Sequence, residues 1–296
     1  MTSLTRTRSQ GYMPVKIFKT IVADRSGSMS TFNGKQYDMA EHLLQDAKNQ
    51  ATETQKSTIV TLVAFDDTAN DIMRDRDLLT QDIPSRQELT DGLRPRGCTR
   101  FNDTLIEEVE KLEKKKNDYL SSLAPSVKKL KPDVATVLIA ITDGQDNESW
   151  NNTTIAREKM LSFRKKGGRA ILMAANMDAE EIGGFYGFNP EKSITVHNSN
   201  EQAIESCYRA VSTMARNMSQ GIDVPFTGLQ RATSNMPTIS DDDDNNNLLT
   251  PPTLTRHTRQ ALPQMPGFLN LAPGNDWALP STPNLASHPA LFRSRN

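Results

Sequence analysis

An aspartate and three serines follow one another closely in the segment DRSGSMS, residues 24–30, which comes directly after the apolar run IFKTIVA. Side chains of these types could form a turn, bind phosphate, supply a nucleophile or ligate a metal ion. Asp24, Ser26 and Ser28 are spaced two residues apart, and in an extended loop every second side chain points the same way. Their oxygen atoms can therefore converge on one point.

Two other polar segments bring oxygen-bearing side chains of the same kind. RGCTRFND, residues 96–103, places Thr99 just ahead of a predicted long helix. TDGQDNES, residues 142–149, places Asp143 directly after a predicted strand. The three segments together offer hard oxygen atoms and neither nitrogen nor sulfur, which suits Mg²⁺ or Mn²⁺ and does not suit zinc. The residues form a candidate metal site if the fold brings the three loops together.

The elements that must position these loops are predicted from hydrophobic periodicity. Apolar runs alternate with amphipathic stretches, a pattern typical of an α/β fold with a doubly wound, mostly parallel central sheet and helices on both faces. Strands are predicted at 15–23, 57–65, 134–142, 169–175 and 192–198, with a brief hairpin strand at 71–74. Helices are predicted at 34–56, 102–123, 154–166 and 200–218. Ligands of such sheets bind beyond the carboxyl ends of the strands, which is where residues 24–30 are expected.

The chain resembles the von Willebrand factor type A (vWA) domain, whose metal-ion-dependent adhesion site (MIDAS) is written D-x-S-x-S, then a distant Thr, then a distant Asp. DRSGS, the threonine of GCTRFND and the aspartate of ITDGQDN match this motif in order, and the resemblance covers residues 16–218. The residues in and around these motifs are most similar to those of short intracellular members from bacteria and large viruses. The resemblance implies a Rossmann-like fold in which the cation is bound by two serines, a threonine and two aspartates: Ser26, Ser28, Thr99, Asp24 and Asp143.

A site of this composition favours a binding function. Three neutral hydroxyls and two carboxylates neutralise a divalent cation only in part and leave a coordination position to water. An acidic residue of a protein partner can take that position. We therefore predict a metal-dependent protein-interaction module, with a structural or assembly component whose metal site is vestigial as the alternative. The resemblance also permits cooperation with a separate ATPase in an assembly complex.

Enzymatic activity is not predicted. Activation of Ser26 or Ser28 as a nucleophile needs a neighbouring base. The four histidines are expected on a helix, at a strand end and in the tail: His42, His197, His257 and His288. The sequence lacks the phosphate-binding motif G-x-x-x-x-G-K-[ST]. We predict no catalytic residue and no further cofactor site, and a metal-assisted hydrolase is the least favoured alternative. Asp146 and Glu148 are interpreted as solvated loop charges rather than as groups that tune the metal site.

Composition and charge limit the class of partner and the compartment. The formal net charge is −1 and no basic run reaches the length of a binding patch, which argues against nucleic acid and membrane surfaces. No stretch of eighteen apolar residues occurs. Cys98 and Cys207 lack metal-type spacing and suit a reducing compartment. An intracellular, cytoplasmic protein is expected, with a viral setting left open.

Three regions are predicted along the chain. Residues 1–14 form a flexible N-terminus, residues 15–218 the vWA domain, and residues 219–296 a disordered tail. The tail contains ten of the sixteen prolines and the run SDDDDNNN, and it has neither lysine nor glutamate. Such a segment cannot bury enough apolar surface to offset its ordering entropy. The apolar cluster at 268–279 within it is either chance or a short docking motif.

Overall fold

A central β-sheet organises the computed structural model, which describes residues 14–144 and 146–237. Within these residues the sheet has six strands in the order β3-β2-β1-β4-β5-β6. The strands are β1 (Lys16–Asp24), β2 (Thr58–Phe65), β3 (Ala69–Asp77), β4 (Val134–Thr142), β5 (Arg169–Ala175) and β6 (Ser193–Val196). β3 is antiparallel to β2, and all other neighbours are parallel. The doubly wound, mostly parallel α/β fold predicted from the sequence is confirmed.

Helices cover both faces of the sheet. They are α1 (Lys35–Thr54), α2 (Arg86–Gly92), α3 (Phe101–Ser122), α4 (Pro125–Lys129), α5 (Thr153–Lys165), α6 (Ala179–Phe185), α7 (Glu201–Ser219) and α8 (Gly228–Ser234). Short 3₁₀ helices span Gly27–Phe32 and Pro190–Lys192. One core layer joins the sheet to α1 and α7 through residues such as Leu44 and Val211. The other joins it to α3 and α5 through residues such as Phe101 and Phe163.

β4 is the most completely buried strand. It lies between β1 and β5, and all nine of its residues are buried. A strand covered on both faces must be apolar at nearly every position, which explains the continuous run VATVLIAIT. β4 and β1 run parallel with Ala23 opposite Ile141, so both strands end at the same edge of the sheet.

The hairpin strand is longer than the sequence predicts. β3 extends over Ala69–Asp77, whereas a strand at 71–74 was expected. Met73 is the one buried residue of β3, and its other residues are exposed or half-buried. The reason is that β3 is an edge strand of the sheet. Apolar periodicity therefore marks only its centre.

The folded region also continues beyond the predicted boundary at residue 218, and here the expectation of a tail from residue 219 was wrong. Phe226 is 4% exposed, and its amide donates to the carbonyl of Glu191 at 3.0 Å. α8 follows, with a capping box in which Thr227 and Gln230 bond each other's backbone amides. The predicted disorder of residues 238–296 and nearly all of the predicted flexible N-terminus lie outside the described residues, as does the cluster at 268–279.

Candidate metal centre

Three loops meet at the carboxyl edge of the sheet. Asp24 is the last residue of β1, and Asp143 directly follows β4. Thr99 stands two residues before α3 begins at Phe101. Because β1 and β4 are adjacent parallel strands, Asp24 and Asp143 emerge side by side. The topology thus brings together the segments that carry all five residues of the predicted metal site.

Asp24 lies at the base of the site and is fully buried. Its Oδ1 accepts a hydrogen bond from the amide of Ser26 at 2.7 Å, and its Oδ2 accepts one from the hydroxyl of Thr142 at 2.7 Å. Burial raises the pKa of Asp24 to about 6, although both hydrogen bonds favour the charged form. A buried carboxylate with this pKa would gain from a neighbouring cation.

Ser26, Ser28 and Asp143 form a continuous row of oxygen atoms. The Oγ atoms of Ser26 and Ser28 are 3.0 Å apart, and Ser28 Oγ donates to Asp143 Oδ1 at 2.8 Å. Ser26 is buried, Ser28 is exposed and Asp143 is half-buried. Burial also raises the pKa of Asp143. The row therefore passes from a buried hydroxyl through an exposed one to a half-buried carboxylate.

Thr99 borders the same space. A Cβ atom placed on Gly144 would lie 3.5 Å from Thr99 Oγ1 and 3.9 Å from Ser28 Oγ, so both hydroxyls face the backbone of Gly144. Asn147 fixes Thr99 from the other side. The Thr99 amide donates to the side-chain oxygen of Asn147 at 2.8 Å, and the Asn147 amide donates to the Thr99 carbonyl at 3.0 Å.

The oxygen set fits a small divalent cation. Within residues 14–144 and 146–237 there is no group of three or more His, Cys, Asp or Glu side chains that could hold a metal, so any cation here relies on hydroxyl oxygens as well. Oxygen ligands about 2.1 Å from Mg²⁺ and at right angles are about 3 Å apart. The separations of 3.0 Å between Ser26 and Ser28 and 2.8 Å between Ser28 and Asp143 match this spacing.

Asp146 is a structural residue, and the interpretation of it as a solvated charge was wrong. Its Oδ2 accepts from the amide of Asn102 at 2.7 Å and from the hydroxyl of Ser149 at 2.5 Å. It therefore caps the first turn of α3 and ties it to the loop that follows β4. Glu148, in the same loop, is exposed.

Asp103 braces the same junction from the helix side. Its carboxylate accepts from the amides of Trp150 at 2.9 Å and Asn151 at 3.0 Å, and from the side-chain amide of Asn151 at 2.6 Å. Sequence reasoning missed this brace. The only local signal was an aspartate in the first turn of a helix, a position that also occurs without long-range contacts.

The described histidines contact residues outside the candidate site, and the two cysteines form no disulfide. The ring of His42 packs against Tyr208 with centroids 4.7 Å apart, and His197 Nδ1 is 2.8 Å from the hydroxyl of Ser199. Cys98, beside Thr99, and Cys207 are both free thiols, and Cys98 is exposed. His257 and His288 lie outside the described residues. No helix of the described part of the chain is long and apolar enough to cross a membrane.

Comparisons with known proteins find that this chain is similar in three-dimensional structure to several solved proteins. No protein-family model matches the chain, and no curated protein sequence matches it. Proximal thread matrix protein 1 from the mussel byssus, solved with zinc in its MIDAS motif, is 18% identical with a TM-score of 0.44, over 69% of this chain and 47% of that chain. The likeness thus spans about half the length of the mussel protein.

Two bacterial structures are similar to the same extent. A von Willebrand factor type A protein from Catenulispora acidiphila is 15% identical with a TM-score of 0.41, over 69% of this chain and 42% of that chain. The PilB minor pilin from Streptococcus sanguinis is 15% identical with a TM-score of 0.47, over 73% of this chain and 64% of that chain. Identities and TM-scores this low assign no function.

Proposed function

We propose that this vWA-like domain is a protein-interaction module that depends on a divalent cation, Mg²⁺ or Mn²⁺. Asp24, Ser26, Ser28, Thr99 and Asp143 would hold the cation, which would supply positive charge at the edge of the sheet. The observation that carries the proposal is the row of oxygen atoms of Ser26, Ser28 and Asp143, which joins a buried hydroxyl to an exposed hydroxyl and a half-buried carboxylate.

The charge and exposure of the site support a partner carboxylate. Asp24 and Asp143 are its two carboxylates, and they are placed at its buried and half-buried sides. Ser28 is exposed, so the side open to solvent is lined by a neutral hydroxyl. An acidic residue of another protein could approach from that side, and its contact with a cation would be charge-assisted.

A second candidate is a structural or assembly component with a vestigial metal site. One observation favours it: the polar atoms of the site bond one another, Thr142 to Asp24 and Ser28 to Asp143, so the loops are held together by the protein's own groups. Cooperation with a separate ATPase in an assembly complex is compatible with either candidate. We propose an intracellular location for both, supported by the two free cysteines.

Calorimetry of metal binding tests the site. Wild-type protein should bind Mg²⁺, and Ser28→Ala should weaken binding by about tenfold or more because it removes one ligand oxygen. Ser30→Ala is the matched control, since Ser30 is another exposed serine of the same 3₁₀ helix and lies outside the row. Equal affinities for wild type and Ser28→Ala would contradict the assignment.

Affinity purification of the full chain tests the function. Lysate bound in Mg²⁺ and again in chelator should yield a protein partner only in the presence of the metal, and Ser28→Ala should lose it. A partner captured equally well with chelator would favour the vestigial site over the metal-dependent module.

A further inference from the structure

The carboxylate of Asp66 is hydrogen-bonded to two of the three loops of the candidate metal site, the one after β1 and the one before α3. Asp66 lies in the turn between β2 and β3 and is 3% exposed, and its carboxylate accepts four hydrogen bonds. Its Oδ1 accepts from the amide and hydroxyl of Thr68 at 2.9 and 3.1 Å. Its Oδ2 accepts from Nε of Arg25 at 2.9 Å and Nε of Arg96 at 2.7 Å. Arg25 belongs to the loop after β1 and Arg96 to the loop before α3, so one buried oxygen atom joins both loops.

The carboxyl group of Asp66 has a pKa below its usual value. Burial alone would raise its pKa, but hydrogen bonds from Arg96, Thr68 and Arg25 lower the pKa to about 2. The carboxylate therefore stays ionised, and the two guanidinium groups keep their acceptor, throughout the neutral pH range.

In the first loop the contact falls between two candidate ligands. Arg25 stands between Asp24 and Ser26, and its side chain is 5% exposed. Besides its bond to Asp66, its amide donates to the carbonyl of Phe65 at 2.9 Å. The direction of the chain at Asp24 and Ser26 is thus fixed by the end of β2 and the turn that follows it.

In the second loop the contacts fall on both neighbours of the candidate ligand Thr99. The amide of Cys98 donates to Oδ1 of Asp67 at 2.5 Å, and the amide of Arg100 donates to the carbonyl of Asp66 at 3.0 Å. The turn between β2 and β3 therefore holds Thr99 on either side, although none of its own residues belongs to the predicted metal site.

We propose that Asp66 is a positioning residue of the metal centre. It sets where Ser26 and Ser28 lie relative to Thr99 by holding Arg25 and Arg96 on one oxygen atom. Two backbone hydrogen bonds also link the loops, from Gly27 to the carbonyl of Gly97 at 3.1 Å and from Arg96 to the carbonyl of Arg25 at 2.8 Å. These neutral bonds are weaker than the charge-assisted bonds to Asp66. Groups that orient metal ligands without touching the metal affect affinity strongly. The inference rests on the proposed function.

The first test replaces the acceptor. Asp66→Asn puts an amide group where one carboxylate oxygen was, so the two arginines lose their shared charge. Calorimetry, at a temperature where the metal-free variant is fully folded, should show Mg²⁺ affinity about tenfold or more below that of wild type. Asp71→Asn is the control, because it makes the same charge change in the same hairpin but Asp71 pairs with Arg74. A purely stabilising role would lower the melting temperature and leave the affinity of the folded protein unchanged.

The second test separates positioning from simple electrostatics. Arg96→Gln removes a positive charge near the site, so long-range electrostatics alone would tighten Mg²⁺ binding. Loss of the Arg96 bond to Asp66 should instead weaken binding, by about threefold or more, since one of two anchors is lost. Arg96 is largely exposed at its side chain, so this variant should fold even if Asp66→Asn does not.

The outcomes distinguish the two levels of the proposal. Weakened binding in both variants, with normal binding in Asp71→Asn, supports positioning by Asp66. Wild-type binding that Asp66→Asn leaves unchanged, or that Arg96→Gln tightens, overturns the positioning role and leaves the proposed function intact. A wild-type protein that binds no Mg²⁺ overturns the proposed function and this inference with it.

Discussion

At the scale of single residues, the burial of Asp24 opposes the ionisation of its carboxyl group. It is fully buried at the end of β1, and its pKa of about 6 lies well above the usual 3.8 because burial disfavours the ionised form. The ordinary stabilising partners of a buried carboxylate are a basic side chain or a metal ion. Asp24 instead accepts hydrogen bonds from the backbone amide of Ser26 and from the Thr142 hydroxyl. Asp24 is therefore poised to exchange a proton for a cation.

Metal affinity should depend on pH through this exchange. Above about pH 7 Asp24 is ionised, so Mg²⁺ affinity should be constant; below about pH 6 binding must displace a proton, and affinity should fall by up to about tenfold per pH unit. Calorimetry at pH 7.5, 6 and 5, in buffers of different ionisation enthalpy, measures both the affinity and the proton released. Equal affinity at pH 7.5 and 5 would contradict the role of Asp24.

Stability without metal should depend on pH in the opposite sense. A carboxyl whose pKa is raised on folding stabilises the protein fully below its unfolded pKa, and this contribution is lost as pH rises through the folded value. For Asp24 the window is about pH 4 to 6, and the contribution is roughly 3 kcal/mol at about 1.4 kcal/mol per pH unit. Urea unfolding of metal-free wild type and Asp24→Asn should show a difference that changes across this window. Saturating Mg²⁺ should reverse the trend in the wild type.

At the scale of elements, the loop after β4 and the first turn of α3 act as one unit. Asp146 accepts the amide of Asn102 in α3, and Asp103 in α3 accepts amides of the loop at Trp150 and Asn151. This reciprocal capping holds the loop that carries Asp143 against the helix that follows Thr99. The loop that carries Asp143 and the loop that carries Thr99 are thus held together by hydrogen bonds between protein groups.

Loss of one cap should destabilise this unit. Asp146→Asn should lower the free energy of unfolding by about 1 kcal/mol, the usual cost of a lost helix cap. Glu148→Gln makes a matched charge change at an exposed position two residues away and should have no measurable effect. Urea denaturation of both variants tests the difference, and equal stability of the two would show that the cap does not matter.

The same loop presents Trp150 to solvent. Its side chain is 93% exposed while its backbone is fixed by Asp103, an arrangement suited to contact with another protein. Trp150→Ala should weaken capture of the partner by about tenfold or more and leave Mg²⁺ affinity unchanged. Leu130→Ala is the control, since Leu130 is also exposed but precedes β4 at the opposite edge of the sheet. Equal loss in both variants would argue against a specific contact at Trp150.

Element length decides how much of this structure the sequence could predict. Long strands and helices with sustained periodicity, such as β4 and α7, were predictable, and so was the grouping of the five site residues at one edge. The seven-residue helices α2 and α8 are too short for periodicity, although each begins with a capping box that could have been recognised. Contacts of Asp66 join residues 41 and 30 positions apart, and no local pattern encodes such pairs.

At the scale of the whole molecule, the segment after α7 completes the domain at an exposed edge of the sheet. β6 is an edge strand of the described sheet, so one of its sides pairs with no other strand there. Arg231 of α8 donates to the carbonyl of Ser193 at 2.7 Å, and the amide of His197 donates to the carbonyl of Ser234 at 2.9 Å. α8 therefore covers the ends of β6, and the Arg231 guanidinium also lies over the ring of Phe226.

The position of this boundary can be measured by truncation. A chain that ends at residue 218, the boundary expected from composition, exposes the edge of β6 and loses the burial of Phe226, worth roughly 1.5–3 kcal/mol. It should therefore unfold at lower urea concentration than a chain that ends at residue 237, and it should self-associate through the uncovered strand. Urea denaturation and size-exclusion chromatography report the two effects, with the full chain as reference. Equal stability of the two truncated chains would place the end of the folding unit before α8, whereas a deficit confined to the shorter chain makes α8 part of the domain that supports the metal edge.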